Sequence, residues 1–192
     1  MRDPRYDPLF EPVKIGPVTA PNRFYQVPHC SGMGYRRPQM MAAMRGMKAA
    51  GGWGVVCTEY CSIHPSSDDT PFPHASLWDK GDVGNLRLMA DAVHEHDALA
   101  GVELWYGGRS SANMYTRVPA LGPVSLPNTS RIGMPVQSQA MTLDDIKTLK
   151  GWYQAAASRA LEANFDIVYV YANHEYILHD FLSAKINTGP DQ

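Results

Sequence analysis

Four short apolar runs, each followed by a stretch of helix-forming residues, constrain this chain more than any other feature of its sequence. The first, Asn22-Arg23-Phe24-Tyr25-Gln26-Val27-Pro28, runs into a loop at His29-Cys30-Ser31-Gly32. A Met- and Ala-rich stretch over residues 40–50 follows, with Gly51-Gly52 as its stop signal. The second run covers residues 53–60 and leads through a Pro/Ser/Asp loop at 64–73 to a helix over 82–97, with Leu86, Met89, Ala90 and Val93 on one face. The third covers residues 99–106 and runs into Gly107-Gly108-Arg109, after which residues 110–140 read as one long loop. Thr142-Leu143-Asp144-Asp145 then resembles a capping box, and an apolar stripe carries that helix to about residue 163. The fourth run is residues 165–171.

Near-continuous apolar strands, rather than alternating ones, belong to a parallel sheet covered on both faces. Strand and helix in alternation predict right-handed βαβ units and the α/β class. An open doubly wound sheet and a (β/α)8 barrel both satisfy this. No Gly-x-Gly-x-x-Gly follows a strand, which removes the usual dinucleotide fingerprint. Polar and aromatic residues instead gather after strand ends: His29 and Cys30, Glu59 and Tyr60, Glu103 and Tyr106, then Tyr171, His174 and Tyr176. Barrels build their active face in that way, so the barrel is the expected architecture.

Of the 192 residues, 44% are hydrophobic and 19% charged, which is a globular composition. A formal net charge of -2 gives no reason to expect nucleic acid or an anionic membrane as partner. No apolar run approaches a membrane span, and Met1-Arg2-Asp3-Pro4 opens without a signal-peptide core. Three cysteines, Cys30, Cys57 and Cys61, argue for a reducing compartment, and a cytoplasmic location is expected. Cys57 and Cys61 read as small apolar strand residues, and no metal-ligand set is visible.

The residues at the strand ends carry distinct chemistry. Cys30 is open to roles as nucleophile, ligand, cofactor attachment point or ordinary cysteine. Glu103 sits inside an apolar strand, where a carboxylate needs either a polar ligand or a cationic partner. Tyr60 offers a face for cation–π attraction, whereas Trp105 reads as packing. Tyr171 and His174 are spaced to share a hydrogen bond suited to proton management. Asp68-Asp69 reads as a turn and His94-Glu95-His96 as a solvated helix end.

The segments 22–30, 51–53, 58–63, 99–108 and 166–171 together resemble the N-terminal barrel of the trimethylamine dehydrogenase group, within the old yellow enzyme family of FMN oxidoreductases. The resemblance covers nearly the whole chain and implies a (β/α)8 TIM barrel with FMN at its C-terminal mouth. It implies covalent flavin attachment at Cys30, beside Pro28 and His29, and a hydrogen bond from the flavin pyrimidine edge to Glu103. It further implies that Tyr60 is one wall of an alkylammonium cage, that Tyr171 and His174 belong to an active-site triad, and that Tyr176 lies near the electron exit. A phenol at position 171 favours amine over enone chemistry, and Tyr60 favours a tertiary over a secondary amine.

The expected reaction is thus FMN-dependent oxidative N-demethylation of a small tertiary amine. Residues 1–192 amount to about the first four β/α units of the barrel, and these cysteines do not supply the family's [4Fe-4S] cluster. Three readings of such a chain stay open. It is part of a flavin amine dehydrogenase, a half-barrel completed by a second copy or another chain, or a non-catalytic remnant. Ene reduction is the rival chemistry.

Overall fold

The computed structural model describes residues 3–71, 74–128 and 136–188. A 3-10 helix at Pro4–Phe10 precedes a hairpin of β1 (Val13–Ile15) and β2 (Val18–Ala20), then β3 (Tyr25–Gln26) and α1 (Pro38–Ala50). β4 (Val55–Ser62) and β5 (Ala75–Ser76) lead to α2 (Lys80–His94) and β6 (Leu99–Trp105). Four two-residue strands follow: β7 (Leu121–Gly122), β8 (Pro127–Asn128), β9 (Val136–Gln137) and β10 (Gln139–Ala140). The chain then forms α3 (Leu143–Glu162), β11 (Ile167–Val170) and α4 (Ile177–Leu182).

The central strands stand in the order β11-β6-β4-β3, all parallel, with β5 added to the C-terminal end of β4. Spatial order therefore follows chain order with no reversal. A doubly wound sheet reverses at its switch point, whereas a barrel advances one strand at a time. The open choice between the two is decided for the barrel.

The first expected strand, 22–28, pairs only at Tyr25–Gln26. Asn22 accepts the Phe24 N–H at 3.0 Å and donates to the Gly52 carbonyl at 2.9 Å, so the entry is held by a side chain rather than a ladder. The long loop expected over 110–140 is instead partly paired, with β7 on β10 and β8 on β9, while residues 129–135 lie outside the described residues. The Ser138 hydroxyl fastens that segment by donating to Val124 O at 2.9 Å and accepting from Leu126 N at 3.1 Å. The capping box forms as expected, with Thr142 and Asp145 exchanging bonds.

β4 and β6 are buried on both faces, whereas the edge strand β11 leaves Val168, Tyr169 and Val170 exposed. Outside, helices α1 to α3 pack on Val56, Cys61, Ala100, Val102 and Leu104. The lower inner face, with Val55, Cys57, Leu99 and Ile167, is covered by the β1–β2 hairpin through Val13, Ile15 and Ala20. A Cβ on Gly101 would lie 2.5 Å from Cys57 Sγ, so the thiol fills the space a side chain there would need. Cys57 and Cys61 are both fully buried and face opposite sides of the sheet, as small apolar strand residues should.

The expected solvated helix end at 94–96 holds for the exposed Glu95 and His96 but not for His94. His94 Nε2 meets Asp166 Oδ2 at 2.7 Å, and the same carboxylate oxygen accepts the Ala100 N–H at 2.8 Å. This half-buried pair ties α2 to the start of β11. Asp166→Ala leaves the ring and a strand amide unsatisfied, and should lower stability by about 1–3 kcal/mol in urea unfolding. Unchanged stability would show the pair to be ornamental.

Candidate active site

One register shift shapes the mouth of the sheet. Between the pairs Cys57↔Gly101 and Tyr60↔Glu103, β4 holds one residue more than β6. Such a bulge re-aims the side chains beyond it. Tyr60 becomes the partner of Glu103, and both line the same cleft. The Thr58 hydroxyl accepts the Glu103 N–H at 3.1 Å, so the disrupted ladder leaves that donor satisfied.

The cleft, about 880 Å³ and open to solvent, is lined by Val27, Pro28, His29, Cys30, Tyr60, Glu103, Tyr171, His174 and Tyr176, among others. Of the residues singled out at the strand ends, His29, Cys30, Tyr60, Glu103, Tyr171, His174 and Tyr176 lie along one concavity, whereas Glu59 turns to the loop at 31–34 and Tyr106 is buried on the helix side, stacked on Trp152. Glu103 is 5% exposed, and among the described residues its carboxylate receives no hydrogen bond and meets no cation. Burial alone pushes it up to about 7. Among the described residues no cation stands against it to form an internal salt bridge.

Tyr60 is backed by Trp105, stacked with ring centroids 4.7 Å apart, and Trp105 meets Tyr176 edge-on at 5.3 Å. The Tyr60 hydroxyl donates to Asp69, and burial together with that carboxylate raises the phenol well above its ordinary range. The pair Asp68-Asp69 does more than turn the chain. Asp68 accepts Thr70 N–H at 2.9 Å and the Thr116 hydroxyl at 2.6 Å, joining two loops over the site.

Cys30 is exposed, yet burial of its sulfur against the wall pushes the thiol up to about 12 despite a bond from the Tyr60 backbone. Neighbouring His29 is held from behind by the fully buried Arg45, whose Nη2 donates to His29 O at 2.7 Å and whose Nη1 donates to Gln26 Oε1 at 2.8 Å. On the far wall the Tyr171 hydroxyl and His174 Nδ1 are hydrogen-bonded, as their spacing suggested. His174 and Glu175 both take left-handed backbone, at φ 55° and 59°. Non-glycine residues do so only when their surroundings hold them. Here Arg109 lies 3.3 Å from Glu175 and donates at 2.9 Å to the fully buried Asp180.

Three residues given no role from the sequence support the site: Arg45, Arg109 and Glu59, which was noted only among the strand-end residues and accepts hydrogen bonds from the loop after Cys30. Glu59 carried a usable signal, because a carboxylate in an apolar strand needs an explanation at position 59 as much as at 103. Arg45 and Arg109 carried none, since an arginine on a helix or in a loop is ordinarily solvated.

Residues 8–192 match the model of the NADH:flavin oxidoreductase / NADH oxidase family. The chain belongs to that family. Within it, the dimethylamine dehydrogenase of Hyphomicrobium sp. (strain x) is 45% identical over the whole chain, which spans 26% of that protein. The histamine dehydrogenase from Rhizobium sp. 4-9 superposes with a TM-score of 0.95 at 47% identity, over 99% of this chain and 29% of its own. An old yellow enzyme homologue from Zymomonas mobilis superposes at 0.85 with 26% identity, over 95% of this chain and 53% of its own. The chain thus spans about a quarter to a half of the relatives it matches, and its parallel α/β sheet is part of their TIM barrel. No helix among the described residues is long and apolar enough to cross a membrane.

Proposed function

We propose that this chain supplies part of the flavin and substrate site of an FMN-dependent amine dehydrogenase that N-demethylates a small tertiary amine. The observation that carries the reading is Glu103, a buried carboxylate facing an aromatic-lined cleft with no partner among the described residues. That chemistry fits a planar heteroaromatic ring with an N–H on its edge, as the flavin pyrimidine has. FMN, when bound, accepts the two electrons that leave the amine.

The remaining work belongs to the chain. Cys30 is the covalent attachment point, with Pro28 and His29 forming the wall beside it. Tyr60 turns its ring toward the alkylammonium group, held in place by Trp105 and Asp69. Tyr171 and His174 hold a proton between phenol and imidazole next to the reacting carbon, and Tyr176 lines the route by which electrons leave. The phenol at 171 supports amine oxidation over the gripping of a carbonyl oxygen. Completion of the barrel by further β/α units, from the same chain or another, belongs to this reading.

The protein purified with its flavin should be yellow, and acid precipitation should carry the colour into the pellet. Cys30→Ala should move nearly all of it into the supernatant, because the ring is then held by non-covalent contacts alone. Trimethylamine should bleach the oxidised flavin in the absence of air, and an enone should not restore the colour of the dithionite-reduced protein. A colourless protein sinks flavin binding, unchanged retention in Cys30→Ala sinks the attachment, and colour restored by the enone without bleaching by the amine favours ene reduction.

A further inference from the structure

The loop that carries Cys30 is wrapped around a carboxylate. Glu59 is fully buried at the bulge of β4, and its oxygens receive four hydrogen bonds from residues 31–34. Oε2 accepts Ser31 N at 2.6 Å, the Ser31 hydroxyl at 3.0 Å and Gly32 N at 2.8 Å, while Oε1 accepts Gly34 N at 2.6 Å. Backbone N–H groups converging in this way form an anion nest, filled here by the protein's own side chain.

Two glycines make the wrapping feasible. Gly32 takes φ +70°, and a Cβ on Gly34 would lie 2.6 Å from Glu59 Oε1. The imidazole of His74 stands farther off, with Nδ1 3.7 Å from Oε2. Burial works against the Glu59 charge, yet His74 and the bonds from Ser31, Gly34 and Gly32 outweigh it and hold the carboxyl down at about 2. A group ionised against burial in this way is tightly engaged by its donors.

We infer that Glu59 is the positioning residue of the Cys30 loop, templating residues 31–34 through three backbone N–H groups and so fixing where the Cys30 sulfur lies in the cleft. The functional weight of this placement rests on Cys30 being the flavin attachment point. The placement itself is measurable without flavin.

The test is the rate at which iodoacetamide alkylates Cys30 in the full chain before it takes up flavin, read by mass spectrometry. The sulfur bonds to the acetamide carbon and iodide leaves. Glu59→Gln keeps the shape but sets an NH2 against amide donors, and should speed Cys30 alkylation about tenfold as the thiol leaves the wall and ionises more readily. Glu59→Asp keeps the charge but falls one methylene short of the nest, and should also speed it. Cys57 and Cys61, both buried, should stay unreactive in the folded variants and report unfolding if they do not.

Should Glu59→Gln expose them, Glu59→Asp decides. A wild-type rate in Glu59→Asp overturns the inference, because Glu59 then acts by charge alone. Unchanged rates in both variants overturn it too. None of these outcomes depends on flavin attachment, which Cys30→Ala tests separately.

Discussion

Replacing Glu103 with Gln should stabilise the flavin-free protein by about 2 kcal/mol at pH 8, with the gain vanishing below about pH 4.5. The carboxyl titrates near 4.5 in an ordinary setting and near 7 in the folded protein. Between those values the folded state holds the proton more tightly than the unfolded chain. Wild-type stability therefore falls as pH rises through this window and stays low above it. Glutamine has nearly the same shape and never ionises, so the variant escapes the fall. At about 1.4 kcal/mol per pH unit the full window would give somewhat more, and hydration through the open cleft reduces it. Urea unfolding at pH 4.5 and pH 8 measures the effect. A difference that does not change with pH would show that Glu103 is solvated or partnered. The same substitution should weaken flavin binding, because a group that destabilises the empty site is what a ligand with an N–H relieves.

Trp105→Ala should cost about 3–5 kcal/mol, the range for truncating a fully buried tryptophan. Trp105 is 1% exposed and stands between Tyr60 and Tyr176, so its loss opens a cavity behind the proposed substrate wall. Tyr60 then keeps Asp69 at its hydroxyl but loses the ring it stacks on. Amine affinity should therefore fall along with stability. Trp105→Phe, which keeps an aromatic ring, should recover most of both. A double-mutant cycle with Tyr60→Leu should give a coupling of about 1 kcal/mol, as expected for one aromatic pair. Zero coupling would mean that Trp105 supports the sheet without supporting Tyr60.

Sequence patterning reached the sheet and the site to different depths. Strands 4 and 6 were legible because they are long, apolar and bounded by glycine, and their ends carry the residues that line the cleft. The hairpin of β1 and β2 was not, since two three-residue strands have no period to detect, yet it seals the lower inner face. The segment 110–140 was read as loop for a related reason: its strands are two residues long and depend on Ser138 rather than on a ladder. Glu103 was found because a carboxylate among apolar residues is conspicuous. Its neighbour Glu59 was noted at a strand end but given no role, because its partners are backbone amides of a distant loop, and backbone amides leave no mark on composition. The Tyr171–His174 bond followed from spacing, but the left-handed backbone that presents it depends on Arg109 and Asp180, about seventy residues apart.

The extra residue in β4 behaves as a phase marker. Side chains on a strand alternate, so every position beyond the bulge carries a parity set by that one insertion. Were β4 to pair regularly with β6 beyond Cys57, without the bulge, Glu59 would take the place beside Glu103 and Tyr60 would turn away from the cleft. Two carboxylates would then face each other where an aromatic ring now stands, and the Cys30 loop would lose its anchor. The identity of the substrate wall and the shape of the neighbouring loop are therefore not independently variable. Ironing out the bulge at constant length exchanges both at once, whereas point substitutions on either side of it leave the parity intact.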